Sequence, residues 1–313
     1  MNACRPRITE LDYLKSILIV LMIVFHLSAI GSMYPTAKQF VYTFHMPGFL
    51  IISGFLLNFR KEWKAMGHVM LWIFIPYAIM EAGYVYAAAW LPVSDHVDRL
   101  TPVSLLPHIF VKPLGPYWYL HTLIVCSMTT YVVLRAIRFQ AAVQLSVLAL
   151  CFWGISRLGI VSWSNALYFW IGVCISRSRM NFVEVFRPTW LSLVFVASLV
   201  VFIPGSMSKE TLGGVMIVYF MLSFLLRIYR YVPHRGKTVL HFIGRNTLVL
   251  LLFSPIFTLL SKCFLPILEY EPTGILFTAM ALALTLGGCF LMAYISDKLY
   301  LSRLFFGTDR VIR

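Results

Sequence analysis

The sequence predicts an all-α, polytopic membrane bundle of about ten transmembrane helices with both termini in the cytoplasm. Three observations lead there. The chain is 60% hydrophobic and only 12% charged, against roughly 25% charged residues in soluble domains. Apolar runs recur from end to end and leave no room for a separate soluble domain, so residues 1–313 read as one transmembrane domain. Basic residues also alternate in density from one loop to the next.

Ten stretches are long enough, or nearly so, to span a hydrocarbon core of roughly 30 Å. They fall at about 14–34, 40–59, 68–90, 117–134, 139–157, 160–176, 188–204, 211–228, 246–264 and 274–296. The first opens on Lys15 and holds His26. The second carries Pro47, Gly48 and Gly54, and the third Pro76 and Glu81. The fourth opens on aromatic residues.

Counting Lys and Arg in alternate loops tests the orientation. With the N-terminus inside, only six of the 26 basic residues (Lys38, Arg99, Lys112, Arg157, Lys209 and Lys262) fall on the outer side. The other twenty face the cytoplasm. The formal net charge of +14 is therefore a topology signature, and no nucleic-acid partner is needed to explain it. Residues 1–31 also read as a signal peptide, with Arg5 and Arg7 before an apolar run into Ala29-Ile30-Gly31, but removing them would spoil the alternation. Six cysteines show no CxxC or metal-ligand spacing, so neither a disulfide framework nor a metal site is expected.

Ionisable groups within spans are costly, and their depth is informative. Lys15 and His26 are eleven residues apart on one helix face. If Lys15 marks the cytoplasmic edge, His26 lies roughly 16 Å in, near the midplane. Glu81, His45 and His121 fall between midplane and outer leaflet on the next three spans. Four such groups at matching depth point to a shared polar cavity. Pro47 and Gly48 predict a helix break beside His45, because proline removes a backbone donor and glycine weakens the helix. Trp118 is one turn from His121 and suits sugar stacking. The loop at about 91–116 carries five prolines and reads as a stiff lid over an outer site, or as a re-entrant segment.

Two ordered motifs on adjacent spans carry a resemblance. Arg7-Ile8-Thr9-Glu10-Leu11-Asp12-Tyr13-Leu14-Lys15, followed by Phe25-His26, is one. Phe44-His45-Met46-Pro47-Gly48-Phe49 through Ser53-Gly54-Phe55-Leu56 is the other. Together with Tyr117-Trp118-Tyr119-Leu120 and Gly244-Arg245-Asn246-Thr247-Leu248, they resemble the acyltransferase-3 family, especially O-acetylases of bacterial surface polysaccharides. The chain departs from many members at Phe253-Ser254-Pro255, where those have a histidine before the proline.

The resemblance implies acyl transfer, acetyl above all, from cytoplasmic acyl-CoA to a hydroxyl of a lipid-linked saccharide or nascent polysaccharide. That places the chain in a bacterial inner membrane, among membrane lipids, with acyl-CoA as donor substrate and no bound cofactor. Histidine suits the general base, so His26 is the expected base, with Glu81 orienting its imidazole. Lys15, Arg60, Lys61 and Lys64 are the expected cations for the CoA phosphates. His45, Trp118 and His121 complete the expected substrate-binding set. The competing reading is a transporter or flippase for a lipid-linked sugar, since buried histidines and carboxylates also serve proton-coupled transport.

Overall fold

A computed structural model of the chain describes residues 7–90, 102–267 and 271–312. Arg5, Pro92 and Arg99, and with them the first half of the proline-rich loop, lie outside the described residues. Regular structure among the described residues is entirely helical. In chain order the helices are α1 (Thr9–His26), α2 (Ser28–Met33), α3 (Pro35–Leu56), α4 (Trp63–Ala88), α5 (Pro102–Phe110), α6 (Trp118–Ala136), α7 (Ala141–Arg157) and α8 (Trp163–Arg177). There follow α9 (Phe182–Val185), α10 (Leu191–Phe202), α11 (Leu212–Tyr229), α12 (His234–Arg245), α13 (Thr247–Leu260), α14 (Ile275–Lys298) and α15 (Leu301–Phe306).

Six segments among the described residues are long and apolar enough to cross a membrane: Pro35–Leu56, Trp63–Ala88, Leu105–Ala136, Leu212–Tyr229, Thr247–Phe264 and Ile275–Lys298. The helices α7 and α10 are apolar but shorter. The first expected span, 14–34, is two helices. α1 ends at His26, Leu27 takes an extended conformation (φ −65°, ψ 110°), and α2 begins at Ser28. The break expected beside His45 is absent, because α3 runs helically through Pro47. A proline inside a helix deletes one backbone bond; flanking turns can still carry the helix past it. The discontinuity therefore falls one residue beyond His26.

The chain packs as two compact units, Met1–Phe49 with Asn181–Met292 and Ile312–Arg313, and Leu50–Met180 with Ala293–Val311. In the first unit α1 packs most extensively on α12 and also meets α11 and α13. Close approach is possible because Gly244 faces the Asp12 carbonyl; a β-carbon there would come within 1.8 Å of that oxygen. Gly48 similarly leaves space for Leu18 and Leu222. α12 is short, with His234, Lys237, His241 and Arg245 along one side and Val239, Leu240, Phe242 and Ile243 along the other, the pattern of a helix lying in an interface.

In the second unit the end of α3 and α8 meet backbone to backbone through reciprocal glycines. A β-carbon on Gly54 would lie 2.1 Å from the Phe169 carbonyl oxygen, and one on Gly172 would lie 2.0 Å from that of Ile51. Small residues at such crossings let dispersion replace the hydrophobic drive that lipid does not supply. The Ser53-Gly54 pair thus serves packing: Ser53 Oγ is also 2.7 Å from the Tyr119 hydroxyl.

Because backbone atoms on both sides leave no room to relax, Gly54→Ala or Gly172→Ala should each cost about 1–3 kcal/mol through overpacking. Thermal unfolding in detergent will report that loss; a substitution at Gly67, with nothing within 4 Å of its β-position, serves as the neutral comparison.

Candidate active site

In the first unit three rings stand in a row along α1 and α3. The His26 and Tyr42 ring centroids are 5.7 Å apart, and those of Tyr42 and His45 are 5.1 Å apart. The spacing follows from the sequence, since residues 42 and 45 share a face of α3. The Tyr42 hydroxyl donates to the Phe25 carbonyl at 3.2 Å, tying α3 to the last turn of α1.

Both imidazoles are oriented by their own helix. His26 Nδ1 lies 2.7 Å from the Met22 carbonyl oxygen, and His45 Nδ1 lies 2.8 Å from that of Val41. A carbonyl only accepts, so each Nδ1 carries the proton. In the neutral ring Nε2 then keeps its lone pair. His45 is buried at 2% exposure, and its Nε2 has no hydrogen-bond partner among the described residues. His26, at the helix break, is exposed. The pair thus consists of one accessible basic nitrogen and one enclosed one.

Two lysines approach this row from the opposite end to Lys15. Lys38 Nζ is 5.5 Å from the Tyr42 ring centroid, and its charge acts on His26. Lys209 acts on His45 from the loop between α10 and α11, where Gln39 Nε2 donates to the Met207 carbonyl. Burial lowers the Lys209 pKa from its usual value.

At the start of α1 the first unit gathers a charge cluster. Asp12, 4% exposed, pairs with Arg7 Nε at 2.7 Å, Lys15 Nζ at 3.0 Å and Arg245 Nε at 3.9 Å. Asp12 precedes the apolar stretch that begins at residue 14. Burial opposes its ionisation, but the Arg7 hydrogen bond and the Lys15 charge outweigh burial and hold its pKa below the usual carboxylate value. Three cations therefore converge on one carboxylate. The motif Gly244-Arg245-Asn246 was visible in the sequence, yet nothing there placed Arg245 beside Asp12; that contact depends on the Gly244 crossing.

The second unit holds Glu81, His121, Trp118, Arg60, Lys61 and Lys64. The first two fasten the segment that precedes α6. Glu81 Oε1 accepts from the Leu114 backbone N–H, His121 Nε2 donates to the Phe110 carbonyl at 3.0 Å, and the Tyr77 hydroxyl donates to that of Ile109 at 2.8 Å. Glu81 Oε2 is buried without a partner among the described residues. The described part of the expected lid is thus α5 and a tight turn, Gly115–Tyr117, clamped by buried polar groups of α4 and α6. Trp118 opens α6 and is half-buried, edge-on to Tyr119 at 6.4 Å. Arg60 and Lys64 are exposed, while the Lys61 carbonyl receives the Tyr131 hydroxyl and Arg135 Nη2. Sequence reasoning missed Tyr42 and Arg135, although one-turn spacing to His45 would have found the tyrosine. No group of three or more metal-ligating side chains occurs among the described residues.

A family model described as an acyltransferase domain, that of acyltransferase family 3, matches residues 8–294. No curated protein and no solved structure matches the chain.

Two stability tests separate the clusters. Asp12→Ala leaves the half-buried Lys15 without its counter-charge and should cost about 1–3 kcal/mol. The depressed pKa makes that contribution full above the ordinary value of 3.8 and lost as pH falls below it, so variant and wild type should converge in acid. Glu81→Ala strands the Leu114 N–H at a cost of about 1–3 kcal/mol, whereas Glu81→Gln keeps an acceptor and should stay near wild type in thermal unfolding.

Proposed function

The chain belongs to the acyltransferase-3 family, and from that membership we propose that it is a membrane O-acyltransferase using acyl-CoA, acetyl-CoA foremost, to esterify a hydroxyl of a lipid-linked or nascent surface saccharide in a bacterial inner membrane. The observation that carries this reading is His26. Its Nδ1–H is committed to Met22, so the exposed ring offers Nε2 as a base at the point where the helix breaks. An enzyme acting on a hydroxyl needs such a group with its tautomer already set.

In the proposed reaction Nε2 of His26 takes the hydroxyl proton as the oxygen attacks the thioester carbonyl. The C–O bond forms, the C–S bond breaks, and the leaving thiolate takes the proton from Nε2, which releases free CoA and restores the neutral imidazole. The Met22 carbonyl performs the orienting task at Nδ1 that a carboxylate has in a triad. Glu81 is proposed to act within the second unit, positioning the segment around Leu114 for the acceptor, with His121 beside it. His45 is proposed to hydrogen-bond the acceptor through Nε2, and Trp118 to stack on a sugar ring. Within the first unit Lys15, joined by Arg245 through Asp12, is proposed to take the CoA phosphates. Arginine and lysine both serve phosphate recognition, the first as a planar fork and the second as a point charge.

The test is the O-acyl ester content of the host's surface glycans, by NMR and mass spectrometry, in a deletion strain rescued with wild type or with His26→Ala at matched protein level. Ester is expected to vanish on deletion, return with wild type and stay at least about 100-fold reduced with His26→Ala, the loss typical of a missing general base. Unchanged ester in all strains would refute acyl transfer. A fall in total surface glycan without ester loss would instead indicate transport.

A further inference from the structure

Away from His26 and His45, the first unit carries a second polar feature. A cavity of about 400 Å³ opens between the start of α10 and the end of α11, lined by Pro188, Thr189, Trp190, Leu191, Val194 and Arg227. Buried hydroxyls join the two helices that flank it. Ser192 Oγ donates to Ser223 Oγ at 2.8 Å, and Ser223 Oγ donates to the Arg187 carbonyl, fastening the Arg187–Trp190 turn to α11.

The Arg227 guanidinium is 5.9 Å from the Trp190 ring and 5.4 Å from the Tyr231 ring. Those two rings are themselves 5.7 Å apart. Arg227 Nε is buried and has no hydrogen-bond partner, and no carboxylate pairs with this guanidinium, among the described residues. A cation flanked by aromatic rings with an unused buried donor matches an anionic oxygen ligand, and the arginine fork matches phosphate.

The walls narrow the ligand further. Leu191 and Val194 are more than 60% exposed and continue into α10, which has no charged residue in twelve. In a membrane chain that flank meets acyl chains. Trp190 and Tyr231 are the residue types that gather at headgroup level. Arg187 and Arg230 are exposed close by in the chain, on the side expected to hold most basic residues, where anionic lipids concentrate.

We infer that Arg227, Trp190 and Tyr231 form a binding site for the phosphate of an anionic phospholipid, whose acyl chains run along Leu191 and Val194. The site is independent of the acyl-transfer reading. Neither His26 nor the Asp12 cluster contributes to it.

Native mass spectrometry of the full chain in detergent, titrated with phosphatidylglycerol, phosphatidylcholine or soluble glycerol phosphate, tests this. Wild type is expected to bind the first phosphatidylglycerol about tenfold more tightly than Arg227→Gln, the loss of one charge-assisted contact. Arg227→Lys should fall between them, and phosphatidylcholine should bind wild type more weakly. Val194→Phe, which fills the cavity while leaving the arginine, should also weaken phosphatidylglycerol binding and provides the test if Arg227→Gln does not fold. Equal phosphatidylglycerol affinity in wild type and the folded variants would overturn the site. Displacement of the lipid by glycerol phosphate at comparable concentration would overturn it too, by showing a soluble phosphate ligand instead.

Discussion

The need to satisfy every polar group where water is scarce is the constraint on which the rest of this structure depends. Each imidazole at membrane depth gives one ring N–H to a backbone carbonyl: His26 to Met22, His45 to Val41 and His121 to Phe110. An unpaired amide-like group in an apolar medium costs several kcal/mol, so these bonds are close to obligatory. For the first two the acceptor is four residues back on the same helix, and the bond selects the tautomer as well as the rotamer. The tautomer that leaves a lone pair on Nε2 of His26 is thus a by-product of helix geometry.

The same constraint explains the contrast between the two units. In the first, polar groups are arranged around a discontinuity: α1 stops at His26, Leu27 turns extended, and Tyr42 bridges back to the Phe25 carbonyl. In the second, Glu81, Tyr77 and His121 are committed to the backbone around residues 109–114. Irregular backbone at membrane depth persists only where protein or a polar cavity satisfies it. Those three side chains supply that satisfaction for the segment before α6.

Close helix crossings then decide which charges meet. Gly244 admits the Asp12 carbonyl and brings α12 onto α1. Arg245 consequently joins Arg7 and Lys15 around one carboxylate. A carboxylate among three cations leaves a net positive surface whose members are already partly ordered. Less entropy is then lost when an anion engages them than for free surface lysines.

Sequence alone determined the all-helical membrane class, because 60% apolar composition and long uncharged runs admit little else. It also determined the family, through local motifs that include His26. Tertiary structure alone decided where the first span breaks. Pro47 marked the wrong helix, since a missing donor can be tolerated inside a helix whereas the turn at Leu27 carries no proline or glycine signal. Tertiary structure also decided that Glu81 and His121 bind the backbone before α6, that Arg245 meets Asp12, and that Arg227 lies between two rings. Each of these is a contact between residues distant in the chain or a choice among local conformers, and both depend on which helix faces come together.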